Sequence, residues 1–118
     1  MSRIQEAFAR NKRLFIGFVT AGDPDLATTK ELVLAMVKAG VGIVEFGIPF
    51  SDPVAEGPVI QRADLRALEA GTTTDKIFEI VERIRKNSSI PMVFMTYANV
   101  VFSYGTERFV KKAAELGM

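Results

Sequence analysis

The 118-residue chain contains no cysteine and no histidine. The first absence excludes disulfides, thiolate nucleophiles and thiolate metal sites. The second removes the side chain most often used as a general base near neutral pH, and the most frequent metal ligand. Any acid–base chemistry therefore falls to carboxylates, to Tyr97 or Tyr104, or to a perturbed lysine. Excess charge of one sign is missing too. A net charge of +1 leaves no broad basic face, and nucleic acid is not a favoured partner. No apolar run approaches the ~18 residues needed to cross a bilayer. The basic start, Met1–Arg13, leads into Leu14–Val19, which is short and lacks a small-residue cleavage pattern. It reads as a first strand, not a signal peptide, and the chain reads as cytoplasmic with no membrane partner.

What is present alternates between two periods. Ser2 with Gln5 resembles a capping box, and Ile4 and Phe8 share a face, so 2–11 is expected to be a short amphipathic helix. Leu14–Thr20 is a strand candidate closed by the turn Ala21-Gly-Asp-Pro24. Asp25 caps a helix running to Ala39, with Val33, Met36, Val37 and Gly40 on its inner stripe. Val41–Phe50 is a nearly continuous apolar run, the pattern of a strand buried on both faces. After a long loop, Pro58 opens a helix that stops at Gly71. Thr72 with Asp75 repeats the capping signal before a helix with Ile77, Ile80, Val81 and Ile84 at i, i+3, i+4, i+7. Pro91–Tyr97 is the third strand, and Asn99–Gly105 reads as a long aromatic-rich loop. Phe109, Ala113 and Leu116 form one face of a last helix.

Strands alternating with helices predict right-handed βαβ units on a parallel sheet, an α/β fold. No low-complexity segment or linker divides the chain, so 1–118 is read as one domain. Three parallel strands leave two unpaired edges and an uncovered face. The expectation is the front part of a larger α/β protein, or copies of this chain that self-associate to complete one another.

Glu45 lies near the end of its apolar run. A carboxylate ionised there costs several kcal/mol unless it is paired, neutralised or useful. The C-terminal tips of parallel strands are where α/β proteins place chemistry. The plainer alternative is a glutamate that reaches solvent at a frayed strand end. A second carboxylate, Glu56, follows in the loop Ser51–Pro58. No lysine stands at a strand end; Lys30, Lys38, Lys76, Lys111 and Lys112 lie on expected helices, which argues against Schiff-base chemistry.

Three stretches carry a resemblance: FVTAGDP at Phe18–Pro24, EFGIPFSDPVAEGPVIQ at Glu45–Gln61, and YANVVF at Tyr97–Phe102. In this order and spacing they resemble the tryptophan synthase α subunit. The resemblance implies a partial (β/α)8 TIM barrel: its first three βα units, with three parallel strands and an extra N-terminal helix, so that 1–118 is the N-terminal part of the barrel. It implies a carbon–carbon lyase of tryptophan biosynthesis that cleaves indole-3-glycerol phosphate to indole and glyceraldehyde 3-phosphate, with no metal and no organic cofactor. Glu45 would then be the acid–base that shuttles protons, and Glu56 the charged partner of the indole N–H, although Glu56 also suits a plain solvated loop charge. The family usually carries Asp where this chain has Glu56. Phe18, Met95 and Tyr97 would line the indole pocket, although Phe18 and Met95 also suit ordinary core packing. Asp52, Pro53 and Asn99 match positions where the family meets its β subunit, and Asp52 equally suits turn capping before proline. The residues that grip substrate phosphate in the family are not among these, so the 118-residue chain alone is expected to be inactive.

Overall fold

A computed structural model describes all 118 residues. Helix α1 (Arg3–Arg10) precedes β1 (Ile16–Thr20), α2 (Leu26–Lys38), β2 (Ile43–Gly47), α3 (Pro58–Glu69), α4 (Thr74–Arg85), β3 (Met92–Met95), α5 (Ala98–Tyr104) and α6 (Thr106–Glu115). The strands form one parallel sheet in the order β1-β2-β3. No helix is long and apolar enough to cross a membrane.

Register and pleat split the sheet into two faces. Val19, Val44, Phe46, Met92 and Phe94 point to the helical layer, where they meet Val33 of α2, Ile77, Phe78, Val81 and Ile84 of α4, and Phe109 of α6. Phe78, Phe94, Tyr104 and Phe109 interlock within this core in edge-to-face and tilted pairs, with centroids 5.3–5.9 Å apart. Each large side chain so buried contributes about 1.5–3 kcal/mol. The opposite face carries Ile16, Phe18, Glu45, Val93 and Met95 and has no helix over it. Ile16 stays 49% exposed, Phe18 37% and Met95 50%.

Three expectations need correction. Asn99–Gly105 is not a loop: Ala98–Tyr104 form α5, and Gly105, at φ 102°, returns its N–H to the carbonyls of Val101 and Phe102. Valine, asparagine and phenylalanine have weak helix propensity, but Val100, Val101 and Tyr104 pack on the core and tertiary burial overrides propensity. The cap of α4 is Thr73, whose hydroxyl accepts the Lys76 N–H at 3.2 Å, rather than Thr72. Thr72 is instead buried against Gly22, where a Cβ would lie 2.0 Å from its hydroxyl. Three consecutive threonines left the cap register ambiguous in sequence. The strands are also shorter than read. β1 begins at Ile16 and β3 ends at Met95, since Tyr97 already serves as N-cap of α5.

Two polar anchors set the chain ends and the first turn. The Arg85 guanidinium donates to the carbonyls of Leu116 at 2.7 Å, of Gly117 at 2.9 Å, and of Ile90. Arg66 on α3 forms a two-pronged ion pair with Asp23, at 2.8 and 3.0 Å, tying the turn after β1 to α3.

Candidate active site

At the C-terminal ends of the strands a small hollow of about 170 Å3 is lined by Phe18, Gly47, Ile48, Ala55, Glu56, Ile60, Asp64, Met95, Thr96 and Tyr97. A larger cleft of about 480 Å3 opens at the other end, between α1 and the strand starts, with Arg3, Arg10 and Arg13 on its wall. Parallel α/β sheets place ligands at the carboxyl ends of their strands, so the smaller hollow is the candidate site. Its volume falls below the ~300–1,000 Å3 of typical ligand pockets, so it forms one wall of a site and does not enclose a ligand.

The local sequence explains the hollow. β2 ends at Gly47, where a Cβ would lie 2.5 Å from the Phe18 ring, so only glycine lets that ring lie over the strand. The chain then runs out through Phe50 into the loop that carries Asp52, Pro53 and Glu56. Gln61, at the start of α3, donates to the carbonyls of Pro53 at 3.2 Å and Glu56 at 3.0 Å, and so folds the loop back on the helix. From the end of β3, the Tyr97 hydroxyl donates to the Glu56 carboxylate and accepts the Ala55 N–H at 2.9 Å. The Tyr97 ring lies against Phe50, with centroids 5.1 Å apart. Burial, then the bond to Glu56, hold the Tyr97 phenol above its ordinary value, so it stays a neutral donor at physiological pH.

Of the residues singled out in sequence, Phe18, Glu56, Met95 and Tyr97 share this hollow. Glu45 does not line it. Its place is mid-strand rather than at the strand tip, third of five residues in β2, between Phe18 of β1 and Val93 of β3 in register. It is half-buried on the uncovered face and takes part in none of the three ion pairs. Asp52 and Pro53 lie outside, on a shallow groove with Phe50, Val54 and Leu65. Asn99 lies on α5, on a separate groove with Pro49, Thr73 and Ser103. Asp52, Pro53 and Asn99 thus border two neighbouring surfaces at the same end of the sheet.

Sequence reasoning missed Asp64. It is 5% exposed on α3, lines the hollow, and accepts the Phe50 N–H at 3.4 Å. Burial raises its carboxyl above the ordinary range, the Phe50 bond works in the opposite direction, and the nearby Glu56 charge raises it further. The signal was available: Asp64 falls on the helical stripe of Ala63 and Ala67, all three buried.

Comparison with known proteins decides the family. A profile described as Tryptophan synthase alpha chain matches residues 4–118. The chain belongs to the tryptophan synthase alpha chain family. It is 52% identical over 118 residues to the tryptophan synthase alpha chain of Lacticaseibacillus casei, covering 100% of this chain and 44% of that protein. The tryptophan synthase alpha chain of Legionella pneumophila subsp. pneumophila superposes with a TM-score of 0.91 at 37% identity, over 100% of this chain and 46% of the other. A chain of the tryptophan synthase complex from Pyrococcus furiosus does so at 0.84 with 41% identity, over 89% of this chain and 43% of the other. The chain therefore spans under half the length of these tryptophan synthase alpha relatives. Its fold is correspondingly a partial TIM barrel, with three parallel strands and six helices.

Proposed function

We propose that this chain supplies the indole-facing wall of a tryptophan synthase α active site, in a cytoplasmic protein whose remaining barrel strands complete it. The observation that carries this reading is the convergence of Glu56, Tyr97, Phe18 and Met95 on one hollow at the carboxyl ends of the strands. The reaction is cleavage of indole-3-glycerol phosphate to indole and glyceraldehyde 3-phosphate. It requires a proton delivered to the indole carbon, an acceptor for the ring N–H, and a base for the glycerol hydroxyl. Glu56, oriented by Tyr97, is the acceptor for the ring N–H. Phe18 and Met95 wall the ring. Glu45, beside Phe18 on the face turned toward the barrel interior, moves the proton. Asp52, Pro53 and Asn99 meet the β subunit, and the two shallow grooves at the mouth are the surfaces available for that contact.

Indole release from indole-3-glycerol phosphate by the full-length protein tests the reading. Glu45→Gln abolishes turnover with the circular dichroism spectrum unchanged; turnover near the unsubstituted rate would remove Glu45 from the mechanism.

A second reading is favoured by the bare apolar face of the sheet. On that reading the 118-residue chain is a catalytically silent half-barrel that self-associates or binds a β-type partner. Cleavage by the purified 118-residue chain at rates comparable to the full-length protein would exclude it.

A further inference from the structure

Asp64 is the most deeply buried carboxylate of the chain, and none of the roles above uses it. It lies in the second turn of α3, on the buried stripe with Ala63 and Ala67. Its carboxylate has no ion-pair partner, because the three pairs of the chain involve Asp23 and Asp75 only. A buried carboxylate without a cation is costly and calls for a reason. Two features of its surroundings supply one. Its Oδ2 receives the N–H of Phe50, three residues past the end of β2, where the loop bearing Glu56 begins. It also shares the hollow with Glu56 and Tyr97, and no lysine or arginine lines that hollow. The titratable groups facing Asp64 are therefore Glu56 from the loop and Tyr97 from the end of β3. Arg66, two positions on in α3, is engaged with Asp23.

We infer that Asp64 is a positioning residue: through the Phe50 N–H it holds the root of the loop that presents Glu56, and as a second carboxyl in the same hollow it helps keep the Tyr97 hydroxyl protonated and donating to Glu56. The catalytic consequence rests on the lyase reading; the proton linkage does not. Negative charge on Asp64 disfavours a phenolate on Tyr97, which is the direction of the shift there. After burial, the negative charge of nearby Glu56 likewise disfavours ionisation of Asp64.

The test separates the two duties. Asparagine at 64 can still accept the Phe50 N–H but carries no charge; alanine does neither. In the full-length protein with 13C-labelled tyrosine and carboxyl groups, Asp64→Asn shifts the Tyr97 titration to lower pH, and Glu56→Gln shifts the Asp64 titration to lower pH. In the unsubstituted protein the Asp64 carboxyl resonance titrates above the ordinary aspartate range. Asp64→Ala lowers kcat/KM up to about tenfold below Asp64→Asn, the scale of one lost neutral hydrogen bond. An unmoved Tyr97 titration in a folded Asp64→Asn protein overturns the inference. So does an Asp64 titration at or below the ordinary aspartate value in the unsubstituted protein, a measurement that needs no variant to fold. Absence of indole release from the unsubstituted protein would defeat the lyase reading and leave the titrations to judge Asp64.

Discussion

The Glu56 carboxylate reaches from its loop to the Tyr97 hydroxyl. The full glutamate arm is therefore in use. Shortening it by Glu56→Asp withdraws the carboxylate by about one C–C bond, and ~1 Å of misplacement can cost on the order of a hundredfold in rate. Under the proposed lyase function, the expected outcome is a fall of roughly ten- to a hundredfold in kcat/KM, measured as indole release by the full-length protein. Activity equal to or above the unsubstituted enzyme would show that the loop re-seats the shorter side chain. Asp64 predicts a pH signature in stability. Its folded-state value is raised, so the unfolded chain gives up the proton first as pH climbs. Stability contributed by the protonated form is complete below the ordinary value of 3.8 and is lost as pH rises through the folded value. Asp64→Asn should then raise the melting temperature at pH 7 and leave it unchanged at pH 3. A decrease at pH 7 would mean that the carboxylate's bond to Phe50 outweighs its burial cost.

At the scale of elements, the caps and anchors carry measurable energy. Thr73→Ala removes the acceptor for the Lys76 N–H and should destabilise by about 1 kcal/mol, whereas Thr72 caps nothing. Arg85→Ala leaves three carbonyls at the end of α6 and before β3 without their donor. Urea titration should show a loss of about 2–4 kcal/mol, larger than a surface pair would give, since the guanidinium is half-buried and its bonds are charge-assisted. The same anchors show what local sequence can carry. The Ser2–Gln5 box and the Asp25 cap were legible because donor and acceptor lie three residues apart, and both form. Arg85 was not legible, because its acceptors include Leu116 and Gly117, more than thirty positions away. Helix α5 was not legible either, since its residues favour helix only when the core covers Val100, Val101 and Tyr104.

For the whole molecule, the decisive feature is a sheet with one finished face. The helical side buries Val44, Phe46, Ile77, Val81, Ile84 and Met92 almost completely, while Phe18 and Met95 on the other side stay wet. Exposed apolar surface of this kind promotes association. The 118-residue chain by itself should sediment as species larger than a monomer at micromolar concentration. Phe18→Ser with Met95→Ser should shift it toward monomer. A monomeric unsubstituted chain across the concentration range would show that the bare face alone does not drive pairing.

The alternation of apolar periods, the glycine and proline punctuation and the motif from Glu45 to Gln61 determined the order of elements, the parallel sheet and the family, because each is written in neighbouring residues. Tertiary structure alone decided that Tyr97 meets Glu56 across 41 positions, that Glu45 stands outside the hollow, and that Asp64 is buried within it. Those outcomes depend on how strands register and how helices roll onto them, and packing between distant segments leaves no period in the chain to read.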